Sequence, residues 1–161
     1  ALIELNKVKY LLKEKNLANF IRNFVHNNNF LLKDAELTLD LDENCIGMLE
    51  EDSFNMVLRN IFENSIRYSF CAPSFISVKL EAIKKNKILI TFKDKGYGIK
   101  KKDLKKIFRI FYRVNNKKEG MGLGLYIVYD IVKLHKGKVW AESEGLKMGA
   151  SIKILLPMYK K

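Results

Sequence analysis

Long apolar runs are missing from this chain: no stretch of about 18 residues has the length and apolarity of a membrane span, and no charged-then-apolar signal pattern opens it. Cysteine is nearly absent. Cys45 and Cys71 stand far apart without a C-x-x-C partner motif, which disfavours a disulfide framework or a zinc site and fits a reducing compartment. With only 2 proline and 9 glycine residues, collagen-like and linker-like classes are excluded as well. What is present is a globular composition. A hydrophobic fraction of 48% is too high for a disordered tail, and 161 residues suit one domain with a core of its own. The chain opens on Ala1 rather than Met, so a fragment of a longer protein is expected, with any membrane segment outside it.

Negative charge is scarce in one window. From Lys84 to Lys118 fourteen basic residues face only Asp94 and Asp103, a balance of +12 that equals the net charge of the whole chain. Either this is a solvated face, or it meets an anionic partner such as nucleotide phosphates, nucleic acid or an acidic protein surface.

Hydrophobic periodicity outlines an alternation of helices and strands. Leu2, Ile3, Leu5, Val8, Leu11 and Leu12 fall at helical spacing, and residues 1–15 read as the end of a helix or a linker. Asn16 is placed to cap a helix bearing Leu17, Phe20, Ile21, Phe24 and Val25. The alternation from Ala35 to Leu41 predicts a strand. A helix is expected from Asp52 or Ser53 to about Tyr68, then strands at Ile76–Glu81 and Ile88–Lys93 joined as a hairpin. A basic amphipathic segment spans Lys101 to Tyr112. Leu123–His135 reads as a helix, and Lys138–Glu142 and Ala150–Leu156 as strands. The sum is an α/β sandwich with helices on one face of a mixed, mainly antiparallel sheet.

Three polar clusters carry chemistry on this frame. Asn60, Glu63, Asn64 and Arg67 recur at i, i+3, i+4 and i+7, one stripe along a helix. Such a stripe is either an ordinary solvent face or a set of oxygens for a hard cation beside a guanidinium for phosphate. Asp94-Lys95-Gly96-Tyr97-Gly98-Ile99 follows a strand, where either Asp and Gly serve the turn for conformational reasons alone, or a lone carboxylate can accept from a base amino group with glycines permitting close approach. Gly120-Met121-Gly122-Leu123-Gly124-Leu125 leads into a helix whose N-terminal amides suit phosphate. Neither the dinucleotide fingerprint nor the P-loop spacing is met.

In this order the clusters resemble the ATP-binding catalytic domain of bacterial sensor histidine kinases, within the superfamily shared with gyrase-type, heat-shock-chaperone and mismatch-repair ATPases. Residues 60–69 look like the asparagine box, Asp94 to Ile99 the first glycine box, Ile107 to Arg113 the phenylalanine box, and Gly120 to Leu125 the second glycine box. The resemblance covers about residues 17–157, with 1–15 as the end of a dimerisation helix and linker and 16–161 as the catalytic domain.

The resemblance implies ATP and Mg²⁺ as ligands on a Bergerat-type fold. Asn64 would coordinate Mg²⁺ with the phosphates, Asn60 assisting, and Glu63 would help orient the nucleophile. Arg67 would contact phosphate and Tyr68 stack near the base. Asp94 would accept from the adenine amino group in a pocket shaped by Gly96, Gly98 and Ile99. Arg113 would reach the phosphates from a lid over residues 100–119 that orders on nucleotide binding, and Gly120, Gly122, Leu123, Gly124 and Leu125 would cradle them. Arg109 and Ile110 stand where the family often has Glu and Arg, so no role transfers to them. Neither His26 nor His135 sits in a phosphoacceptor motif, so the fragment is expected to bind ATP without phosphorylating itself.

The implied partners are a separate dimerisation domain carrying the acceptor histidine, the intact protein being a homodimer, and the receiver domain of a response regulator. The fragment itself is expected to be monomeric, without nucleic acid, and a cytoplasmic part of a protein attached to the bacterial inner membrane. The competing readings are a serine kinase of the anti-sigma type, a basic nucleic-acid-binding module, and a degenerate domain that keeps nucleotide as a scaffold.

Overall fold

A computed structural model describes residues 11–113 and 122–159. The expected N-terminal helix end lies almost wholly outside these residues, as do Gly120 and the lid segment 114–119. Lys13–Asn16 is not a helix end. It forms strand β1, antiparallel to β3 (Ile46–Leu49), with Asn16 opposite Ile46. Neither strand is legible from side chains, because Lys13, Glu14 and Lys15 give no apolar alternation and β3 is only 4 residues long.

Helix α1 (Leu17–Asn27) starts where its cap requires: the Asn16 side chain accepts from the Asn19 N–H at 3.0 Å. Strand β2 (Ala35–Leu41) leads through β3 to α2 (Glu51–Arg67). This helix begins one residue before the expected start because Glu50, not Asp52 or Ser53, is the cap, its carboxylate accepting from the N–H groups of both. After a cis Ala72–Pro73 bond come β4 (Ser74–Ile83) and β5 (Lys87–Asp94), joined by left-handed backbone at Lys85 and Asn86. Helix α3 (Gly124–Leu134) and strands β6 (Lys138–Glu142) and β7 (Ala150–Pro157) complete the order.

The main sheet runs β2-β4-β5-β7-β6, parallel only between β2 and β4. Alternation along its strands buries Ile76, Val78, Leu80, Ile88, Ile90, Phe92, Ile152, Ile154 and Leu156 beneath the helices. An aromatic column fixes the helices to this face. Phe24 stacks on Phe62 at 5.6 Å, Phe62 meets Phe92 edge-on at 5.9 Å, and Phe20 and His135 flank Phe54. With Phe54, Leu58, Ile61 and Phe62 held inward, the opposite stripe of α2 is turned toward solvent and the loops at the sheet end.

The basic amphipathic segment Lys101 to Tyr112 folds with two single 3₁₀ turns, Lys101–Asp103 and Lys106–Phe108. The basic window is also divided. Lys84, Lys85 and Lys87 sit at one end of β5 and Asp94 at the other, roughly 24 Å away at about 3.4 Å per residue. The hairpin lysines therefore stand away from the Asp94 loop.

His135 ties two helices through the core. Its Nδ1–H donates to the Ile131 carbonyl at 2.8 Å, and Nε2 accepts from the Glu50 N–H at 3.0 Å, so the ring must be neutral. Burial pushes its pKa below the ordinary 6.5, against the Ile131 bond and the Glu50 carboxylate. A lowered histidine pKa gives stability that is complete above pH 6.5 and is lost as pH falls below it. Urea midpoints between pH 7.5 and pH 5.5, to be chosen around that value, are expected to drop on acidification in the wild type, and less in His135→Gln. Equal slopes would place the proton uptake elsewhere.

Candidate active site

One cavity of about 350 Å³ opens between the α2 stripe, the end of β5 and the start of α3, within the usual range of about 300–1,000 Å³ for small-molecule sites. Asn60, Glu63, Asn64, Arg67, Tyr68, Asp94, Gly98, Ile99, Arg113, Gly122, Leu123, Gly124 and Leu125 all line it. The stripe is thus a cavity wall rather than a free solvent face. Gly96 stands just behind the wall. A Cβ there would lie 2.5 Å from the Tyr68 carbonyl, so glycine is required by the backbone passing it.

Asp94 is fixed as an acceptor. Its Oδ1 takes the Gly96 N–H at 2.9 Å and the Ala150 N–H at 3.2 Å, and the buried Ser65 hydroxyl also donates to the carboxylate. Burial nevertheless raises its pKa above the ordinary 3.8, the three donors only partly opposing this. At the other end, Asn60 Nδ2 donates to the Met56 carbonyl at 2.8 Å, and its Oδ1 faces Gly124, where a Cβ would come within 3.1 Å. The first turn of α3 has no side-chain cap, so its first amides lack an internal acceptor, and Leu123, Gly124 and Leu125 of this turn line the cavity. Glu63 lies 3.6 Å from Arg59 on the same helix, both partly exposed, a pair of little energetic weight.

The loop Ser143–Gly149, between β6 and β7, is the support that sequence reasoning missed. Ser143 Oγ accepts from the Ile99 N–H at 3.1 Å and donates to the Gly149 carbonyl at 2.7 Å. Lys147 N–H reaches the Tyr97 carbonyl at 2.6 Å and Gly149 N–H the Gly96 carbonyl at 3.1 Å. Leu146, Tyr97, Ile107, Tyr112 and Ala150 also join the lining. Glycines at 145 and 149 gave the only sequence hint, since a tertiary strut leaves no periodic pattern. Of the basic window, Lys100, Lys101, Lys102, Lys105 and Lys106 do not line the cavity, and among its described basic residues Arg113 alone does. Phe108 packs against the core, whereas Phe111 is 63% exposed.

A sandwich with helices on one face and a polar cavity at the sheet end, edged by uncapped helix amides and a half-buried carboxylate, defines a binding domain for an anionic small molecule with an amino-bearing head. The chain belongs to the Histidine kinase-, DNA gyrase B-, and HSP90-like ATPase family, whose model matches residues 49–160. Among curated proteins it is 35% identical over 144 residues to the sensor histidine kinase WalK of Bacillus subtilis, covering 86% of this chain and 20% of that one. It is 34% identical over 142 residues to the sensor protein RprX of Bacteroides fragilis, covering 83% of this chain and 27% of the other. The chain thus spans about a fifth to a quarter of these relatives' length. The fold matches the mycobacterial sensor histidine kinase MprB with a TM-score of 0.82 at 20% identity, over 94% of this chain and 100% of that one. It also matches full-length ShkA in complex with AMPPNP, with a TM-score of 0.81 at 19% identity, over 96% of this chain and 32% of that one.

Proposed function

We propose that this chain is the ATP-binding catalytic domain of a two-component sensor histidine kinase. It would pass the γ-phosphoryl group of ATP to a histidine on a separate dimerisation domain, for relay to a response regulator aspartate. The observation that carries this is the convergence of a half-buried acceptor carboxylate, an amide and guanidinium wall, and uncapped helix amides in one cavity. The relatives named above are sensor kinases, and ShkA was solved with an ATP analogue.

Within the cavity the roles separate by position. Asp94 accepts from the adenine amino group, with Gly96, Gly98 and Ile99 shaping that end and Tyr68 beside the base. Arg67, Arg113 and the amides around Gly122 to Leu125 hold the phosphates. Asn64, with Asn60 on the same face, would hold Mg²⁺ alongside phosphate oxygens; the ion would neutralise charge on the transferring group. The residues fit such an ion: Asn60 Oδ1 is turned to the cavity side by its Nδ2 bond. Among the described residues no three His, Cys, Asp or Glu side chains converge as ligands, so phosphate oxygens and amide oxygens would supply the coordination. Glu63 would orient the incoming imidazole. Phosphoryl transfer of this kind rests on positioning and charge neutralisation, which this set supplies.

Calorimetric titration with ATP and ADP, with and without Mg²⁺, tests the reading. Wild type is expected to bind both, and Asn64→Ala to lose the Mg²⁺-dependent part of the affinity, roughly tenfold or more, while keeping its fold. Absence of adenine nucleotide binding would sink the proposal. Phosphorylation of an acceptor domain on serine instead of histidine would move the chain to the serine kinases.

A further inference from the structure

Asp103 is 4% exposed within a run of exposed lysines, yet among the described residues it forms no ion pair. Its partner is the hydroxyl of Tyr112, which donates to Oδ1. A buried carboxylate needs a donor, and this one takes it from a residue that itself lines the cavity. The phenol is correspondingly harder to ionise, chiefly through that bond.

The same strap is fixed at a second point. Phe111 adopts φ +61, rare for a bulky residue, and donates its N–H to the Gly122 carbonyl at 2.9 Å. Gly122 has no room for a side chain, since a Cβ would lie 2.7 Å from the Phe111 carbonyl carbon. Directly after these two anchors comes Arg113, whose Nη2 is buried at the cavity wall without a hydrogen-bond partner. A buried, unpaired guanidinium nitrogen is costly and calls for an anion.

We infer that Asp103 and Tyr112 form a positioning pair that holds Arg113 against the cavity, so that its guanidinium captures a phosphate of the bound nucleotide. This rests on the nucleotide reading above. Strained backbone at Phe111 is kept because the Asp103–Tyr112 bond and the Gly122 bond bracket it on either side.

The test is a double-mutant cycle on the 161-residue chain, with Mg²⁺-AMPPNP and adenosine as probes in calorimetric titrations. Tyr112→Phe is expected to weaken Mg²⁺-AMPPNP about tenfold and adenosine less than twofold, with a lower thermal midpoint because buried Asp103 is left without its donor. Arg113→Ala should lose at least as much. Tyr112→Phe combined with Arg113→Ala should lose no more than Arg113→Ala alone, because the phenol acts only through the guanidinium. Asp103→Leu, which keeps roughly the volume of the side chain but offers the Tyr112 hydroxyl no acceptor, should reproduce the Tyr112→Phe pattern and stands in for it if that variant unfolds. Additive losses, or equal loss of adenosine, would overturn the positioning role while leaving the nucleotide reading intact. Wild type that binds neither probe would overturn the nucleotide reading and this inference with it.

Discussion

Asp94→Asn is expected to weaken adenine nucleotide binding roughly 30- to 150-fold and leave the fold as stable as before, or more so. The two outcomes come from the same carboxylate. Burial raises the Asp94 pKa, against the donors Gly96 N–H, Ala150 N–H and the Ser65 hydroxyl, so the ionised group opposes folding at neutral pH. A carboxylate raised in this way contributes stability only below its unfolded pKa of about 4, and that contribution is lost as pH rises through the folded value. Asparagine removes the charge and keeps an oxygen for the Gly96 and Ala150 amides, which approach Oδ1 at 2.9 and 3.2 Å. Toward the ligand the exchange is harsher. An amide nitrogen facing an adenine amino group sets donor against donor, and losing a hydrogen bond to a charged acceptor costs about 2–3 kcal/mol, roughly 30- to 150-fold in affinity. Thermal unfolding beside ADP titration measures both quantities. A large fall in the midpoint would mean that Asp94 is a structural carboxylate and that its place in the cavity is incidental. The raised pKa also predicts that wild-type affinity falls on acidification at a higher pH than an ordinary aspartate would give.

The elements that sequence shows well are those with an uninterrupted period. Phe54, Val57, Leu58, Ile61 and Phe62 mark the buried face of α2 by spacing alone, and the alternation in β2, β4, β5 and β7 survives in the burial of their residues. The same periodicity places Asn60, Glu63, Asn64 and Arg67 together, but it cannot say whether solvent or a cavity lies opposite them. That depends on where β5 ends and α3 begins, which is a matter of long-range packing. Short or charged segments failed for a different reason. Strand β1 is held by backbone pairing to β3, and the Lys101–Tyr112 segment is held by Asp103, Phe111 and Ile107, residues too few to override local propensity in a window count. Glu50 as cap was hidden because glutamate is not among the favoured capping residues. The fold divides the lysine window: neighbours in sequence along an extended strand become the two ends of a sheet.

Gly98→Ala is expected to lower both stability and nucleotide affinity steeply, and the comparison with Gly124→Ala separates the loop from the helix. Gly98 has φ +73, and a Cβ there would stand 2.0 Å from the Gly145 carbonyl oxygen, a backbone atom that accepts from the Ser143 hydroxyl at 3.3 Å and the Met148 N–H at 3.2 Å. The left-handed backbone alone costs about 1–2 kcal/mol for alanine. The contact must then push the 143–149 loop away, breaking the Ile99 to Ser143 and Lys147 to Tyr97 bonds, so a total of about 3 kcal/mol or more is expected. In a domain of this size that is a fall of roughly 10 °C in the thermal midpoint. Because the same bonds set the wall below Asp94, affinity should drop at least about tenfold even where the variant is folded. Gly124 differs in both respects. It opens α3, and a Cβ would meet only the Asn60 Oδ1 at 3.1 Å, a side-chain atom that can yield. Gly124→Ala should therefore keep its midpoint within about 2 °C, helped by the better helix propensity of alanine, and lose affinity for phosphate-bearing ligands only. If both variants lost stability alike, the cavity would be one cooperative unit. If Gly98→Ala kept its midpoint, the strut from Ser143 to Gly149 would be softer than its hydrogen bonds imply, and the adenine end of the site would have to be formed by the ligand rather than by the fold.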